Sequence, residues 1–349
     1  MCTECLRGRR AAPGGRMNSL DAVVQAARSA KGITGKTDIA AVMDTLRAHG
    51  ADPGAIRIGD DCAAIADGDG WLLFAIEGFV KSFVAHMPWF AGYCGVMVNI
   101  SDIAAMGGRA SAVVDAVWSR DVAHARPIVE GMAAAAQAYG VPIVGGHSNA
   151  HSDDEQLSVA IIGRARQLLT SFDAQPGDVL VAAIDLRGRY RHPLPNWDAS
   201  TDAPAARLRA DLALLPGLAE DGVCRAAKDI SMGGLVGTAM MLAESSQVGA
   251  VIDIERVPCP DTADPARWLC ETFPSFGFLL AVAAADVDAV IARFCARDIA
   301  CAAIGHCDDS LRLRLRAGRA EREIRDFRTQ PYIACARTQA VAESESFHA

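Results

Sequence analysis

Apolar and polar positions recur with two different periods along this chain. Between Ser19 and Ala30, apolar residues return every three or four positions, which predicts a helix. Between Leu311 and Arg316, leucine and arginine alternate strictly, which predicts a half-buried strand. The same criteria predict helices over 37–47, 90–107, 127–139, 235–245 and 287–297. They predict strands over 56–58, 71–76, 112–118, 141–144, 157–164, 179–184, 250–254, 278–282 and 299–304.

Helices and strands alternate throughout, so we expect an α/β (α+β) fold. A chain of 349 residues is long enough for two domains of ordinary size. A turn-rich stretch at 170–178 marks the boundary between them. We therefore expect domains over 19–170 and 171–349, preceded by a disordered tail over 1–18. Residues 31–36 and 187–204 carry loop composition.

Composition limits the classes of function. The chain is 51% hydrophobic and 22% charged, which is typical of a globular protein. Its net charge of −8 argues against a nucleic-acid partner. No run of 18 apolar residues predicts a membrane span, and the basic first 16 residues lack the apolar core of a signal peptide. Eleven scattered cysteines suit a reducing compartment, so we expect a cytoplasmic protein.

Three turns combine an aspartate with small residues. They contain Asp60 and Asp61, then Asp102, then Asp229. Hard cations take carboxylate oxygens, and phosphates approach backbone N–H groups that no side chain blocks. The turns therefore predict a site for Mg²⁺ and a nucleotide, although each aspartate could instead cap a turn. Either Asp60 or Asp61 can face the ion, and we favour Asp60.

Polar residues interrupt the predicted helix over 90–107. Asn99, Ser101 and Asp102 are together disfavoured inside a helix, which indicates a functional demand there. Gly107 and Gly108 follow, and they suit close backbone approach to a nucleotide, a helix C-cap, or both.

Two further segments supply candidates. Glu77 ends a predicted strand, where it is either one more oxygen ligand or an exposed acid. Gly145, Gly146 and His147 follow the next short apolar strand. The two glycines expose backbone N–H groups, and His147 can donate to a phosphate oxygen but is a poor ligand for Mg²⁺.

The stretch Gly32–Thr37 is similar to a P-loop but does not match one. The P-loop spacing requires a glycine where Ala30 stands, and a strand where a helix is predicted. Lys31 and Lys36 nevertheless lie in a glycine-bearing loop from which either could reach phosphates.

In order and spacing, these motifs resemble the aminoimidazole ribonucleotide synthetase-like superfamily, which includes thiamine-monophosphate kinase, selenophosphate synthetase and the hydrogenase-maturation dehydratase. The resemblance runs from about residue 33 to about residue 315. It implies an N-terminal α/β domain that dimerises through its sheet, followed by a C-terminal α/β domain. It also implies an arm before the first domain that closes over ATP. The acids that it implies as ligands of Mg²⁺ are Asp60, Asp61, Glu77, Asp102 and Asp229.

The match to individual members is incomplete. Kinases of the superfamily carry an aspartate where His147 stands and a second aspartate where Met232 stands. Selenophosphate synthetases carry a cysteine or selenocysteine in the arm, which has none here. The maturation enzyme needs a C-terminal cysteine tail, whereas this chain ends at Ala349.

The resemblance therefore predicts a homodimeric, magnesium-dependent enzyme that binds ATP and a small-molecule substrate. Such an enzyme transfers phosphate to the substrate or activates it with ATP. Asp102, His147 and Lys36 are the expected catalytic residues, and Asn99, Ser101, Gly107, Gly108, Gly145 and Gly146 are expected to bind the nucleotide. The alternatives are activity like that of thiamine-monophosphate kinase or selenophosphate synthetase, or a nucleotide-binding regulator without turnover.

Overall fold

The computed structural model describes residues 16–49 and 56–335. Its helices are α1 (Arg16–Ser29), α2 (Lys31–Thr34), α3 (Asp38–Ala48), α4 (Lys81–His86), α5 (Pro88–Ala105), α6 (Val122–Tyr139), α7 (Ala205–Leu212), α8 (Leu214–Glu220), α9 (Gly234–Ser246), α10 (Pro265–Cys270) and α11 (Val287–Cys295). Its strands are β1 (Ala63–Asp67), β2 (Gly70–Phe79), β3 (Arg109–Trp118), β4 (Ile143–Asn149), β5 (Gln156–Ala165), β6 (Val179–Ile184), β7 (Arg189–Tyr190), β8 (Asn196–Asp198), β9 (Ala226–Asp229), β10 (Gly249–Asp253), β11 (Phe273–Pro274), β12 (Gly277–Val282), β13 (Ala300–Asp308), β14 (Arg312–Ala317) and β15 (Ala320–Asp326).

The first sheet has five strands in the order β1-β2-β5-β3-β4. Its inner face packs on α5, which in turn packs on α6, and Leu73, Val113 and Ile161 are buried there. Alternate residues of a strand point to opposite faces, so the neighbours of these residues form an outer face. That face has no cover among the described residues, and it exposes apolar side chains such as Phe74 and Ile76.

The second sheet has seven strands in the order β15-β14-β10-β13-β6-β12-β9, and it is covered on both faces. Leu279 and Ala281 of β12 pack in a core that includes residues of α1 and α9. Phe278 and Leu280 of the same strand face α8 and α11. Burial on both faces explains why β12 reads as a continuous apolar run. A small third sheet, β11-β8-β7, lies beside it.

The mixed α/β architecture confirms the predicted fold class. The alternating segment at 311–316 forms β14, whose leucines are buried and whose arginines are partly exposed. The boundary at 170/171 stays a prediction; β5 ends at Ala165 and β6 begins at Val179. Of the predicted tail, residues 1–15 lie outside the described residues, and α1 already begins at Arg16. None of the helices described here is long and apolar enough to cross a membrane.

Several local predictions were wrong. Residues 56–58 form no strand; the strand β1 follows the acidic turn instead of preceding it. Residues 31–36 form α2 and the start of a 3₁₀ turn (Gly35–Thr37) instead of a loop. The segment 187–204 contains β7 and β8, with Asn196–Asp198 buried. In each case tertiary contacts decide the conformation of a segment too short to carry a clear period.

Candidate active site

Three carboxylates from distant segments converge where the two large sheets meet. Asp61 lies in the turn before β1, Asp102 on the buried helix α5, and Asp229 at the end of β9. One oxygen from each lies within 4.8 Å of the others. In the part of the chain that the structure describes, this is the one group of three His, Cys, Asp or Glu residues placed to hold a metal ion.

Two of these carboxylates are incompletely paired. The Oδ2 atoms of Asp102 and Asp229 are buried and have no hydrogen-bond partner among the described residues. A buried polar atom without a partner is costly, which favours binding of a cation. Ligands of a single Mg²⁺ at 2.0–2.1 Å lie about 3 to 4 Å apart, so a small inward movement of these side chains would suffice. The residues therefore fit the ion that the resemblance implies.

Lys228 is the residue of this site that the sequence analysis missed. Its ammonium group bonds to Asp61 Oδ1, and both side chains are only 5% exposed. The backbone N–H of Asp229 donates to Asp61 Oδ2 at 3.3 Å. Burial alone lowers the pKa of Lys228, but the nearby carboxylates, Asp61 foremost, raise it above its usual value. A signal existed, because Lys228 is one of only four lysines and directly precedes Asp229.

The structure places Asp61 rather than Asp60 in the cluster. Both oxygens of Asp60 are engaged by Ser171, whose backbone N–H and Oγ donate at 2.7 and 2.5 Å. Burial raises the pKa of Asp60 to about 6. Our preference for Asp60 as the inward-facing residue is therefore not met. The reason is that Asp60 connects the acidic turn to the segment between β5 and β6.

Lys36 faces the cluster from the 3₁₀ turn that follows α2. Burial, and then the positive charge of Lys228, lower the pKa of Lys36, while Asp229, Glu77 and Asp61 act in the opposite sense. Glu77 approaches from the inner face of β2. It does not end that strand as predicted, because β2 continues to Phe79. Two ammonium groups therefore stand among at least four carboxylates.

The carboxylates also repel one another. Burial and the negative charge of Asp61 raise the pKa of Asp229 to about 8. Burial, Asp229 and Glu77 raise the pKa of Asp102 well above its usual range. Without a cation, the cluster therefore favours protonated carboxyls, and a bound cation would reverse that preference.

Asn99 and Ser101 lie on α5 beside Asp102, and both bond to backbone. Asn99 Nδ2 donates to the carbonyls of Gly95 and Val159 at 2.7 and 3.0 Å, while its buried Oδ1 lacks a partner among the described residues. Ser101 Oγ donates to the carbonyl of Met97 at 3.3 Å. Contact of either side chain with a nucleotide stays a prediction.

Gly107 and Gly108 close α5. Gly107 has a φ of 74°, and its N–H and that of Gly108 bond to the carbonyls of Ala104 and Ile103. A Cβ on Gly108 would lie 2.3 Å from the Leu73 side chain. Termination of the helix therefore accounts for Gly107, and close packing against Leu73 accounts for Gly108. Nucleotide binding by these glycines stays a prediction.

The structure does not bring Gly145, Gly146 and His147 to the acidic cluster. They lie within the exposed edge strand β4 and not after a strand, and β4 pairs with β3, not with β5. In the register of the sheet, Gly146 is three strands away from Glu77. At about 4.8 Å per strand, that separation is about 14 Å. A role for His147 in phosphate contact stays a prediction.

Comparison with known proteins agrees with this architecture. Residues 59–165 match the model for the AIR synthase related protein N-terminal domain, and residues 196–318 match the model for its C-terminal domain. The chain belongs to the AIR synthase-related family. An uncharacterized protein of Synechocystis sp. is 48% identical over 281 residues, which cover 80% of this chain and 87% of that protein. Thiamine-monophosphate kinase of Pyrococcus abyssi is 29% identical over 64% of this chain and 76% of the kinase.

Solved structures of AIR synthase-related proteins share the fold. A structure of AaThiL complexed with AMPPCP and TMP has a TM-score of 0.63, with 17% identity, over 80% of this chain and 93% of that one. The structure of PurLQS from Thermotoga maritima has a TM-score of 0.67, with 19% identity, over 81% of this chain. The present chain spans about half the length of the matched chain in that structure, 48% of it.

Proposed function

We propose that this member of the family is a magnesium-dependent, ATP-using enzyme. It would transfer phosphate to a small metabolite, or activate the metabolite with ATP. The observation that carries the proposal is the convergence of Asp61, Asp102 and Asp229, two of them with unpaired buried oxygens. Named relatives support it, because they include thiamine-monophosphate kinases and a PurL solved with ATP.

The residues divide into three roles in this proposal. Asp61, Asp102 and Asp229 would hold Mg²⁺, and the charge of Glu77 acts on the same cluster from the inner face of β2. When bound, the ion would supply positive charge against the ATP phosphates. Lys36 presents its ammonium group to a phosphate, and Lys228 holds Asp61 in place. Phosphoryl transfer asks mainly for positioning and charge neutralisation, which these residues provide.

The acceptor is left open by these residues. Similarity to thiamine-monophosphate kinases favours a phosphorylated small molecule as substrate. Met232, which replaces an acid of those kinases, is 49% exposed beside Asp229. Because of this replacement we retain a second candidate function, a nucleotide-binding regulator without turnover. Single-turnover cleavage of ATP distinguishes the two, because only the enzyme forms ADP in the presence of its acceptor or of water.

Calorimetry with AMPPCP tests the nucleotide site directly. With Mg²⁺ present, we expect binding that is lost after treatment with EDTA. Asp102→Asn should remove the effect of Mg²⁺ without lowering the melting temperature of the metal-free protein, because burial and its neighbours already disfavour the ionised form of Asp102. Equal affinity with and without Mg²⁺ would rule out the metal assignment.

We also propose that the protein is a homodimer that covers the outer face of the first sheet. Five apolar side chains of that face are between 40% and 66% exposed. They are Ile65, Phe74, Ile76, Val114 and Ile162. A contiguous exposed apolar patch of this kind marks an interaction surface. A second copy is the occupant that the family resemblance predicts.

A further inference from the structure

A short C-terminal segment, Tyr332–Cys335, is buried between the elements that carry the site. All four of its residues are at most 3% exposed. Glu244 of α9 accepts hydrogen bonds from the backbone N–H groups of Tyr332, Ile333 and Ala334, at 2.7, 2.7 and 3.1 Å. A buried carboxylate is tolerated when its oxygens are bonded in this way. The C-terminal segment is thus fixed to α9.

The two ends of the C-terminal segment contact two parts of the site. These are the short helix α2, which precedes Lys36, and the acidic turn that precedes β1. The hydroxyl of Tyr332 donates to the carbonyl of Ile33 at 3.0 Å, three residues before Lys36. Cys335 packs so tightly on Gly59 that a Cβ there would lie 2.1 Å from its Sγ. Gly59 directly precedes Asp60 and Asp61.

The turn that carries Lys36 depends on such contacts. Helix α2 has only four residues, too few to be stable by themselves. Its attachments to the rest of the molecule include the buried side chain of Ile33, the close approach of Gly32 to Met232, and the hydrogen bond from Tyr332. Loss of one attachment should let the turn open locally.

We propose that Tyr332 is a positioning residue that holds the Lys36 turn against the acidic cluster through the carbonyl of Ile33. The proposal rests on the function proposed above. Tyr332 does not reach a reacting group; it fixes the backbone from which the ammonium group of Lys36 extends. Through Cys335 and Gly59, the same segment sets the distance between the lysine turn and the acidic turn.

Tyr332→Phe tests this role, because it removes the hydroxyl and keeps the ring. We expect hydrogen exchange of the amides of residues 31–37 to accelerate about threefold to tenfold, the effect of losing one buried hydrogen bond. The dissociation constant of AMPPCP with Mg²⁺ should rise by a similar factor. Exchange in β12 should not change.

Tyr190→Phe is the matched control. Its hydroxyl bonds to Thr272 Oγ1 at 2.7 Å beside the small sheet, so it removes a comparable bond from another part of the molecule. It should change neither the exchange of residues 31–37 nor the affinity for AMPPCP. We expect both variants to lose a similar amount of melting temperature, but only Tyr332→Phe to open the turn. That result would show that Tyr332 positions the turn and does not act only through general stability.

Two outcomes would overturn the proposal. Unchanged exchange over residues 31–37 in Tyr332→Phe would show that the hydroxyl does not hold the turn. Faster exchange with unchanged AMPPCP affinity would show that the held turn does not serve the nucleotide. If the unmodified protein binds no AMPPCP, the proposed function fails, while the exchange comparison still decides whether Tyr332 holds the turn.

Discussion

Lys228 and Asp61 form a buried ion pair beside two further carboxylates. Such a pair contributes little net stability, because desolvation offsets the attraction between its charges. Removing one partner is different, because it leaves an uncompensated charge in the interior. At this position the pair also holds a metal-site carboxylate in a fixed orientation through Lys228 and the N–H of Asp229.

Lys228→Met should therefore lower the free energy of unfolding by about 3–5 kcal/mol in the absence of metal. Added Mg²⁺ should recover part of that loss, because it neutralises Asp61. Lys81→Met is the control: Lys81 pairs with Asp154, but the two side chains are 60% and 40% exposed. Loss of this exposed ion pair should lower the free energy of unfolding by about 1 kcal/mol or less. Urea denaturation measures both, and equal losses would contradict the role of the buried pair.

The metal-free protein should become less stable as pH rises from about 4 to about 8. The pKa of Asp229 is about 8 in the folded protein, against about 3.9 in an unfolded chain. In that window the folded state keeps a proton that the unfolded state has lost, so raising the pH favours unfolding. Asp102, whose pKa is also raised, acts in the same direction.

Urea denaturation in EDTA at several pH values measures this dependence. Asp229→Asn should reduce the pH dependence of the free energy of unfolding, because the amide does not titrate. Saturating Mg²⁺ should also reduce that dependence. Stability that increases through this window in the unmodified protein would show that the two carboxyls are already ionised and paired.

At the scale of elements, length and burial decide what the sequence predicts. The elements α5, α9 and β12 were predicted because each is an apolar run, long enough for a helix in α5 and α9 and of strand length in β12. Helix α2 was missed because one buried residue, Ile33, carries its packing. The glycines and histidine of β4 were placed after a strand because an exposed edge strand has no apolar face to reveal it. The sequence likewise could not choose between Asp60 and Asp61, since adjacent aspartates differ only in tertiary partners.

Gly32→Ala should displace α2 from the site. A Cβ at this position would lie 1.8 Å from the carbonyl oxygen of Met232, which is backbone and cannot give way cheaply. We expect AMPPCP affinity to fall at least as much as for loss of the Lys36 contact, about 1–3 kcal/mol. Calorimetry measures this change.

Gly35→Ala is the control for that variant. A Cβ at Gly35 would meet nothing within 4 Å, and its φ of −65° suits any residue. This change should leave affinity unchanged and stabilise the fold by about 0.4–1 kcal/mol. Equal effects of the two alanines on affinity would mean that α2 need not dock for the nucleotide to bind.

At the scale of the whole molecule, the acidic cluster lies where the two large units meet. Asp102 comes from the helix that covers the first sheet, and Asp229 from the edge strand of the second. The sequence predicted that distant acidic turns would converge, because the family resemblance supplied the fold. It did not supply the C-terminal segment, because the contacts of Tyr332 with Ile33 and Glu244 join residues that are far apart in the chain and follow no local pattern.

Ile76→Asp should convert the proposed dimer into a monomer. Ile76 is 66% exposed on the outer face of the first sheet, so a charge there would be desolvated in a dimer. Val122→Asp is the control, because Val122 is 67% exposed on α6, away from that face. Sedimentation velocity at micromolar concentration measures both. A dimer that survives Ile76→Asp would place the interface elsewhere.

The hydrogen bond from Tyr332 to Ile33 also determines when, during synthesis of the chain, the helix that contains Ile33 gains this partner. The two residues are 299 positions apart, and the earlier one leaves the ribosome first. At about 5–20 residues per second, the helix that contains Ile33 waits about 15–60 s for its partner. A nascent chain that has not yet reached Tyr332 contains the acidic turns and Lys36 but lacks the hydrogen bond from Tyr332 to Ile33. We therefore expect the turn that carries Lys36 to become fixed only after Tyr332 has been synthesised and has left the ribosome.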